Sequence, residues 1–344
     1  MALYLENGFV NIRYCLNFGC PFVFIIGGRG TGKTFGAQLT CIEDNIKYML
    51  MRRTQAQADL ISKPDFSPVN PVMDYLGKMA SIESASKYNG VIYSVEPSSN
   101  EDEPEKKILH GYTAALSTFS NLRGFDGSGI DILMFDEFIP ERHERALKNE
   151  ADAFFNVYET INRNRELTGH KPLTALCLSN SNSLASPILS ALGLVKVLER
   201  MQSKGQTEYI NRESGIAIFL LYGSPISSMK SNTALYRATA NTEFSRMALE
   251  NEFAYDDMSD IKSIPLNSGW KLLLRLGKIF VYTKGGKWYM SKHGAGKPRN
   301  EYELTEIGIK KFVHDYPGSY QRIINHNIIY EDFSIKSLFT NIFI

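Results

Sequence analysis

The chain has 344 residues, 43% hydrophobic and 22% charged, enough apolar content for a full-sized core and outside the disordered and fibrous classes. Its 38 Lys and Arg against 37 Asp and Glu leave a net charge of +1, so any nucleic-acid surface must arise from segregated rather than excess charge. Cys15, Cys20, Cys41 and Cys177 show no C-x-x-C spacing and the histidines stand singly, which predicts reduced buried thiols and no metal cage built by protein alone.

The N-terminus has Glu6 early, no basic n-region and no long apolar core, unlike a secretory signal. No run approaches the ~18 apolar residues of a membrane span, and a soluble protein is expected. Pro21 to Ile26 is a continuous apolar run that predicts a strand buried on both faces of a parallel sheet. Directly after it, Gly27-Gly28-Arg29-Gly30-Thr31-Gly32-Lys33-Thr34 satisfies G-x-x-x-x-G-K-[ST] at every position, and a helix is predicted from about Lys33 to Asn45. Glycines there let successive N–H groups turn around the β- and γ-phosphates of ATP, and the helix N-terminus adds partial positive charge. Lys33 would neutralise phosphate oxygens and the Thr34 hydroxyl would ligate Mg2+.

Tyr48 to Met51 predicts a second buried strand, with Arg52-Arg53 at its end. Residues 56–95 combine a loop carrying Pro64, Pro68 and Pro71 with a hairpin around Val91–Val95 at the sheet edge. The acidic stretch Pro97–Glu105 predicts an exposed loop. Ile130 to Phe135 is another buried strand; Asp136 at its end would hold the magnesium shell, and Glu137 would polarise the attacking water as general base. Ala151, Phe154, Phe155, Tyr158 and Ile161 repeat at helical spacing and predict a crossover helix. It closes on Asn162-Arg163-Asn164-Arg165-Glu166, where a guanidinium offered to the spreading charge of phosphoryl transfer is worth about 10³–10⁵ in rate. Arg163 is the first candidate and Arg165 the second; cations that favour a helix C-terminus are the plainer account. Leu173 to Leu178 is a further strand, and Asn180 beyond it either contacts the γ-phosphate or the lytic water or simply forms a strand-end turn.

This βαβ succession predicts an α/β fold: a mostly parallel sheet sandwiched by helices, as in an ASCE-type P-loop NTPase. The boundaries expected are an ATPase domain over 1–200, a helical linker over 201–240 and a smaller α+β domain over 241–344. Residues 200–262 read as mainly helical and irregular, and Leu272 to Tyr289 as one hairpin around Gly285-Gly286. Between Ile261 and Asn300, Lys262, Lys271, Arg275, Lys278, Lys284, Lys287, Lys292, Lys297 and Arg299 meet no acidic residue. That is the footprint expected for the phosphate backbone of double-stranded DNA. The interleaved Trp270, Phe280, Tyr282, Trp288 and Tyr289 read as core rather than stacking platforms, since a duplex offers no unstacked bases.

Gly27–Thr34, Phe135-Asp136-Glu137-Phe138-Ile139, Asn164-Arg165-Glu166 and Cys177-Leu178-Ser179-Asn180 together resemble the genome-packaging motor ATPase of phi29-like short-tailed phages. The likeness covers residues 20–185 well and the C-terminal region loosely. It implies an ATP-driven DNA translocase forming a homo-oligomeric ring, a pentamer, in the host cytoplasm and docked on the portal of the viral procapsid. It also implies an RNase H-like C-terminal domain without nuclease activity, and some members use a packaging RNA. Arg163 matches the arginine that in this family acts in trans on the neighbouring subunit's ATP. Arg123, in a glycine-flanked loop, is implied either as a channel-lining cation or as acting on a neighbour's nucleotide. The rival readings are a terminase whose C-terminal domain cuts DNA, for which Asp256, Asp257, Asp260 and Asp315 are the available carboxylates, a helicase, a small-molecule kinase, and a capsid-associated protein with a dead pocket.

Overall fold

The apolar runs become strands of two compact units, Met1–Ala191 with Glu199–Ala254, and Leu192–Leu198 with Tyr255–Ile344, in this computed structural model. It describes residues 2–96, 105–122, 124–140, 144, 147, 149–180, 186–222, 224–240, 242, 245, 260–266, 269–294 and 296–343. Pro97–Pro104, Arg123, Asp256 and Asp257, all singled out in the sequence, lie outside the described residues.

In the first unit, β1 (Phe22–Gly27), β2 (Tyr48–Arg52), β3 (Met79–Ser86), β4 (Asn89–Glu96), β5 (Lys106–Ala115), β6 (Ile132–Asp136), β7 (Thr174–Ser179), β8 (Glu208–Asn211) and β9 (Ile216–Leu221) form one sheet. Their order is β3-β4-β5-β2-β6-β7-β1-β9-β8. From β5 to β9 every neighbour is parallel, whereas β3, β4 and β8 attach antiparallel at the two edges. The helices are α1 (Ile12–Leu16), α2 (Lys33–Glu43), α3 (Gln55–Ile61), α4 (Asn70–Tyr75), α5 (Glu150–Asn162), α6 (Pro187–Ala191), α8 (Pro225–Lys230) and α9 (Ala234–Ala238), while α7 (Val195–Ser203) is divided between the two units at Leu198.

Parallel strands need crossovers: α2 links β1 to β2, and α5 links β6 to β7. The central strands are buried on both faces because each face has its own apolar partners. Val23, Ile25, Leu50, Met134 and Leu176 pack with Ala37 and Cys41 of α2. On the alternate positions Phe135 stacks on Phe154 of α5 at 5.7 Å, and Phe24 meets Phe138 at 5.6 Å. All four cysteines are free and buried, and burial raises the thiol pKa of Cys41 to about 12.

Three expectations need correction, two of them in this unit. Residues 200–262 are not mainly helical up to the second unit: β8 and β9 lie within 201–240, and β9 pairs with β1 along its whole length. The run Ile216–Leu221 is completely buried, and a short unbroken apolar stretch bounded by Gly215 is itself a strand signal. The sheet therefore continues past residue 200, and apart from Leu192–Leu198 the second unit takes up the chain from Tyr255. The hairpin expected at the sheet edge is present as β3 and β4 but runs on into β5, whose mixed sequence KKILHGYTAA has no clean alternation.

The second unit has β10 (Lys271–Leu276), β11 (Ile279–Lys284), β12 (Lys287–Ser291), β13 (Asn300–Tyr302) and β14 (Ile328–Tyr330), with α10 (Glu306–Asp315), α11 (Ser319–Ile324) and α12 (Phe333–Thr340). The strand order is β13-β10-β11-β12-β14. Where one hairpin was expected there is a three-stranded meander, since Gly277 supplies a second turn. Gly285 and Gly286 both take positive φ, 55° and 79°, as a two-residue type I′ turn requires. Leu274, Val281, Trp288, Met290, Phe312 and Phe339 form its core.

Candidate active site

Gly32 precedes α2 in a left-handed conformation, φ 83°, and no side chain caps the helix. An uncapped helix start leaves N–H groups and partial positive charge for an anion. Those groups open onto a cavity of about 300 Å³ lined by residues of the glycine loop (Arg29, Gly30, Gly32, Lys33, Thr34, Phe35) and by Asp136, Glu137, Ser179 and Asn180. Three neighbouring strands bring these together. β1 feeds the loop, β6 ends on Asp136 and β7, lying between them, ends on Ser179.

Lys33 donates from Nζ to the carbonyls of Gly27 and Gly28 at 2.9 and 2.8 Å, to Thr31 Oγ1 at 3.3 Å and to Asn180 Oδ1 at 3.4 Å. Burial lowers its ammonium to about 7, with Asp136 opposing the shift. Thr34 Oγ1 lies 3.0 Å from both oxygens of Asp136. Asp136 is 2% exposed; burial raises its carboxyl above the usual range, and the nearby Arg52 guanidinium works against that rise.

Arg52, at the end of β2, bridges the two acids. Its Nη2 donates to Asp136 Oδ2 at 2.8 Å and its Nη1 to Glu137 Oε2. The sequence placed Arg52 at a strand end without a role, because no motif links it to an acid 84 residues away. Glu137 has φ 58°, a region that bulky residues occupy only under strain. The backbone turns there so that Phe138 N–H reaches the Leu178 carbonyl at 3.3 Å and Ile139 N–H reaches Ser179 Oγ at 3.3 Å.

Arg163 and Arg165 are not in this cavity. α5 runs back along the sheet, so its C-terminus lies beside the segment that leads into β6, at the end opposite Asp136. Arg165 donates from Nη2 to the carbonyls of Gly127, Ser128 and Ile130 at 3.1, 2.8 and 2.6 Å. Arg163 is half exposed, donates to the Phe125 carbonyl at 3.2 Å and stands 3.8 Å from Asp126. Its φ of 48° is again left-handed. α5 is anchored at its other end by Arg53, 1% exposed, which pairs with Glu150 at 2.7 Å and with Glu144 at 2.9 Å.

In the second unit Lys284 and Lys287 are cross-strand partners beside the Gly285-Gly286 turn, and Arg322 donates to the Gly286 carbonyl and lies over the Trp288 ring at 4.8 Å. Arg275 pairs with Glu301, and Lys292 with Asp332 at 2.9 Å. Trp288 belongs to the core. Tyr282 and Tyr289 are buried on the opposite face, where their hydroxyls bond the His293 carbonyl and the Ile264 N–H. Asp260 pairs with His326 at 2.9 Å beside β14, while Asp315 accepts from Tyr302 of β13 at 2.8 Å. β13 and β14 are opposite edges of this sheet, so these two carboxylates do not converge. Among the described residues no three His, Cys, Asp or Glu form a metal-holding group, and no helix is long and apolar enough to cross a membrane.

Residues 7–270 match the Podovirus DNA encapsidation protein (Gp16) family. The chain is 25% identical over 311 residues to the DNA packaging protein of Bacillus phage B103, covering 86% of each. It is 24% identical over 326 residues to that of Bacillus phage phi29, covering 91% of this chain and 88% of the relative. A chain of the bacteriophage phi29 viral genome packaging motor assembly superposes over 99% of both chains with a TM-score of 0.65 at 19% identity. The phi28 gp11 DNA packaging motor does so over 98% of this chain and 97% of its own, with a TM-score of 0.64 at 18% identity.

Proposed function

The chain belongs to the Podovirus DNA encapsidation protein (Gp16) family, and from that premise we propose that it hydrolyses ATP at the glycine loop to drive double-stranded viral DNA into a preformed capsid. The observation that carries this reading is the convergence of Lys33, Thr34, Asp136, Glu137 and Asn180 on one polar cavity. A strand lies between the one that feeds the loop and the one that ends in the acids, which supports the ASCE type of P-loop fold.

ATP is the substrate. Backbone N–H groups of residues 27–34 cradle its β- and γ-phosphates and Lys33 neutralises their oxygens. Thr34 and Asp136 are hard oxygen donors 3.0 Å apart, the donor set that suits Mg2+. Those two residues would hold the ion, and it would supply positive charge to the phosphate tail. Glu137 takes a proton from the attacking water, and Asn180, already within reach of Lys33, orients the γ-phosphate or that water.

Arg163 serves a neighbouring subunit's ATP. Its exposure, its strained backbone and its place at the far end of the sheet from its own cavity favour action in trans, whereas Arg165 is committed to three carbonyls. The subunits form a ring, a pentamer, docked on the portal, with a packaging RNA as a further candidate partner. The second unit, in which β11 alone runs antiparallel to the other strands, is RNase H-like with β14 moved beside β12. Its basic meander holds DNA by the phosphate backbone, and the separation of Asp260 from Asp315 favours a domain that does not cut.

The test is the rate of ATP hydrolysis with and without duplex DNA across a range of salt. Stimulation by duplex that fades with salt and vanishes in Lys33→Ala is expected. Duplex-independent phosphate transfer to a small acceptor contradicts the proposal.

A further inference from the structure

A loop that turns its N–H groups toward phosphates must dispose of its carbonyls, because a trans peptide places each C=O opposite the next residue's N–H. The carbonyls of the glycine loop are accounted for nearly one by one. Those of Gly27 and Gly28 accept from Lys33, and Gly28 also accepts from Thr31 Oγ1 at 3.1 Å. The Thr31 carbonyl accepts the Val10 N–H at 3.0 Å, and that of Gly32 opens α2 by accepting the Gly36 N–H at 2.7 Å. The Arg29 carbonyl accepts from Lys230 Nζ, 201 residues away at the end of α8.

Lys230 is held for this contact. Its own carbonyl accepts both the N–H and the hydroxyl of Thr233 at 2.9 Å, which fixes the last turn of the helix. Arg29 and Gly30 line the cavity, and the trans peptide that points the Arg29 carbonyl at the ammonium points the Gly30 N–H the other way. Gly30 has φ 72°, and a β-carbon on it would collide with Lys230 Nζ and lie 2.7 Å from its Cε. The backbone angle requires glycine at position 30, and any side chain there would push the flexible end of Lys230 off the loop. Burial lowers the Lys230 ammonium below its usual range, and its charge is one of the influences that lower Lys33.

We propose that Lys230 is a positioning residue of the nucleotide site: by holding the Arg29 carbonyl behind the loop it turns the Gly30 N–H into the cavity, where it meets the phosphate tail. The assignment rests on the reading that residues 27–34 bind a nucleotide. It also makes α8 a support of the phosphate cradle, outside the loop's own sequence pattern.

The experiment measures binding of a fluorescent non-hydrolysable ATP analogue with Mg2+ to the full chain, alongside thermal melting. The variants are Lys33→Ala, Lys230→Ala, Gly30→Ala and the Lys230→Ala/Gly30→Ala double. Loss of a hydrogen bond from a charged donor predicts about tenfold weaker binding for Lys230→Ala with an unchanged Tm. The double variant should bind better than the two single losses multiplied together, since the collision at Gly30 is gone. If Lys230→Ala binds like wild type while Lys33→Ala does not, the assignment is wrong and the nucleotide reading stands. If Lys33→Ala also binds like wild type, the nucleotide reading itself fails. Weaker binding with a lowered Tm and multiplicative losses marks a merely structural contact and overturns the assignment.

Discussion

Arg52 holds the acid that would carry magnesium and the acid that would accept a proton in the same grip, so single residues decide whether this cavity hydrolyses or only binds. Glu137→Gln keeps the cradle and removes the base. It should bind ATP as wild type does yet lose about 10²-fold or more in turnover; undiminished turnover in a steady-state assay would remove Glu137 from that role. Lys33 titrates near 7 because burial disfavours its charge, and phosphate oxygens would restore that charge. From about pH 7 to about 10 the unfolded chain therefore holds a lysine proton that the folded chain lacks. Over that window this residue makes the fold gain stability with rising pH, while nucleotide affinity falls. Calorimetry at pH 8 in buffers of different ionisation heat should show proton uptake on ATP binding, and its absence contradicts this picture. The sequence revealed Lys33, Thr34, Asp136 and Glu137 because their signals are local, each following a buried strand. It was silent on the roles of Arg52 and Lys230, which reach the site from residues that carry no pattern of their own.

At the scale of elements, α5 connects two chemistries. Arg53 and Glu150 bury its first turn against the end of β2, and its last turn presents Arg163 and Arg165. The two arginines should separate cleanly. Arg165→Ala frees the segment before β6 and should cost about 2 kcal/mol of stability in denaturant melts. Arg163→Ala should leave stability unchanged and lower hydrolysis by about 10³-fold in uniform rings, with activity recovered in mixed rings that contain subunits lacking the base. Recovery absent at every mixing ratio argues against action in trans. β1, β2, β6 and β7 were legible as apolar runs and α5 from its helical spacing, whereas α3 and α4 form where prolines suggested a loop. β5 escaped because its glycine and histidine interrupt the pattern. β8 escaped because only four half-buried residues compose it, whereas β9 left a signal that the surrounding irregular sequence obscured.

Across the whole molecule a nearly neutral chain concentrates nine basic residues between Ile261 and Asn300 without one acid, yet Arg275 and Lys292 find carboxylates from other elements of the same unit. Local sequence exposes charge segregation but not the partners that folding supplies. Lys284 and Lys287 are cross-strand neighbours beside the Gly285-Gly286 turn, and this pair is a compact probe of DNA contact. Neutralising both to Gln should weaken duplex binding alike on all sequences and flatten the dependence of log K on log salt by about 2, as measured by fluorescence anisotropy. The domain boundary was the least legible feature, because β9 returns to the first sheet after the long excursion through α6 and α7. The central claim is that the loop at 27–34 holds a triphosphate in register with Asp136 and Glu137. A crystal structure of the chain with a non-hydrolysable ATP analogue and Mg2+ tests it most directly. The account predicts phosphates against Lys33 and Thr34 with the metal beside Asp136; a nucleotide bound elsewhere, or a loop that stays free of it, contradicts the account.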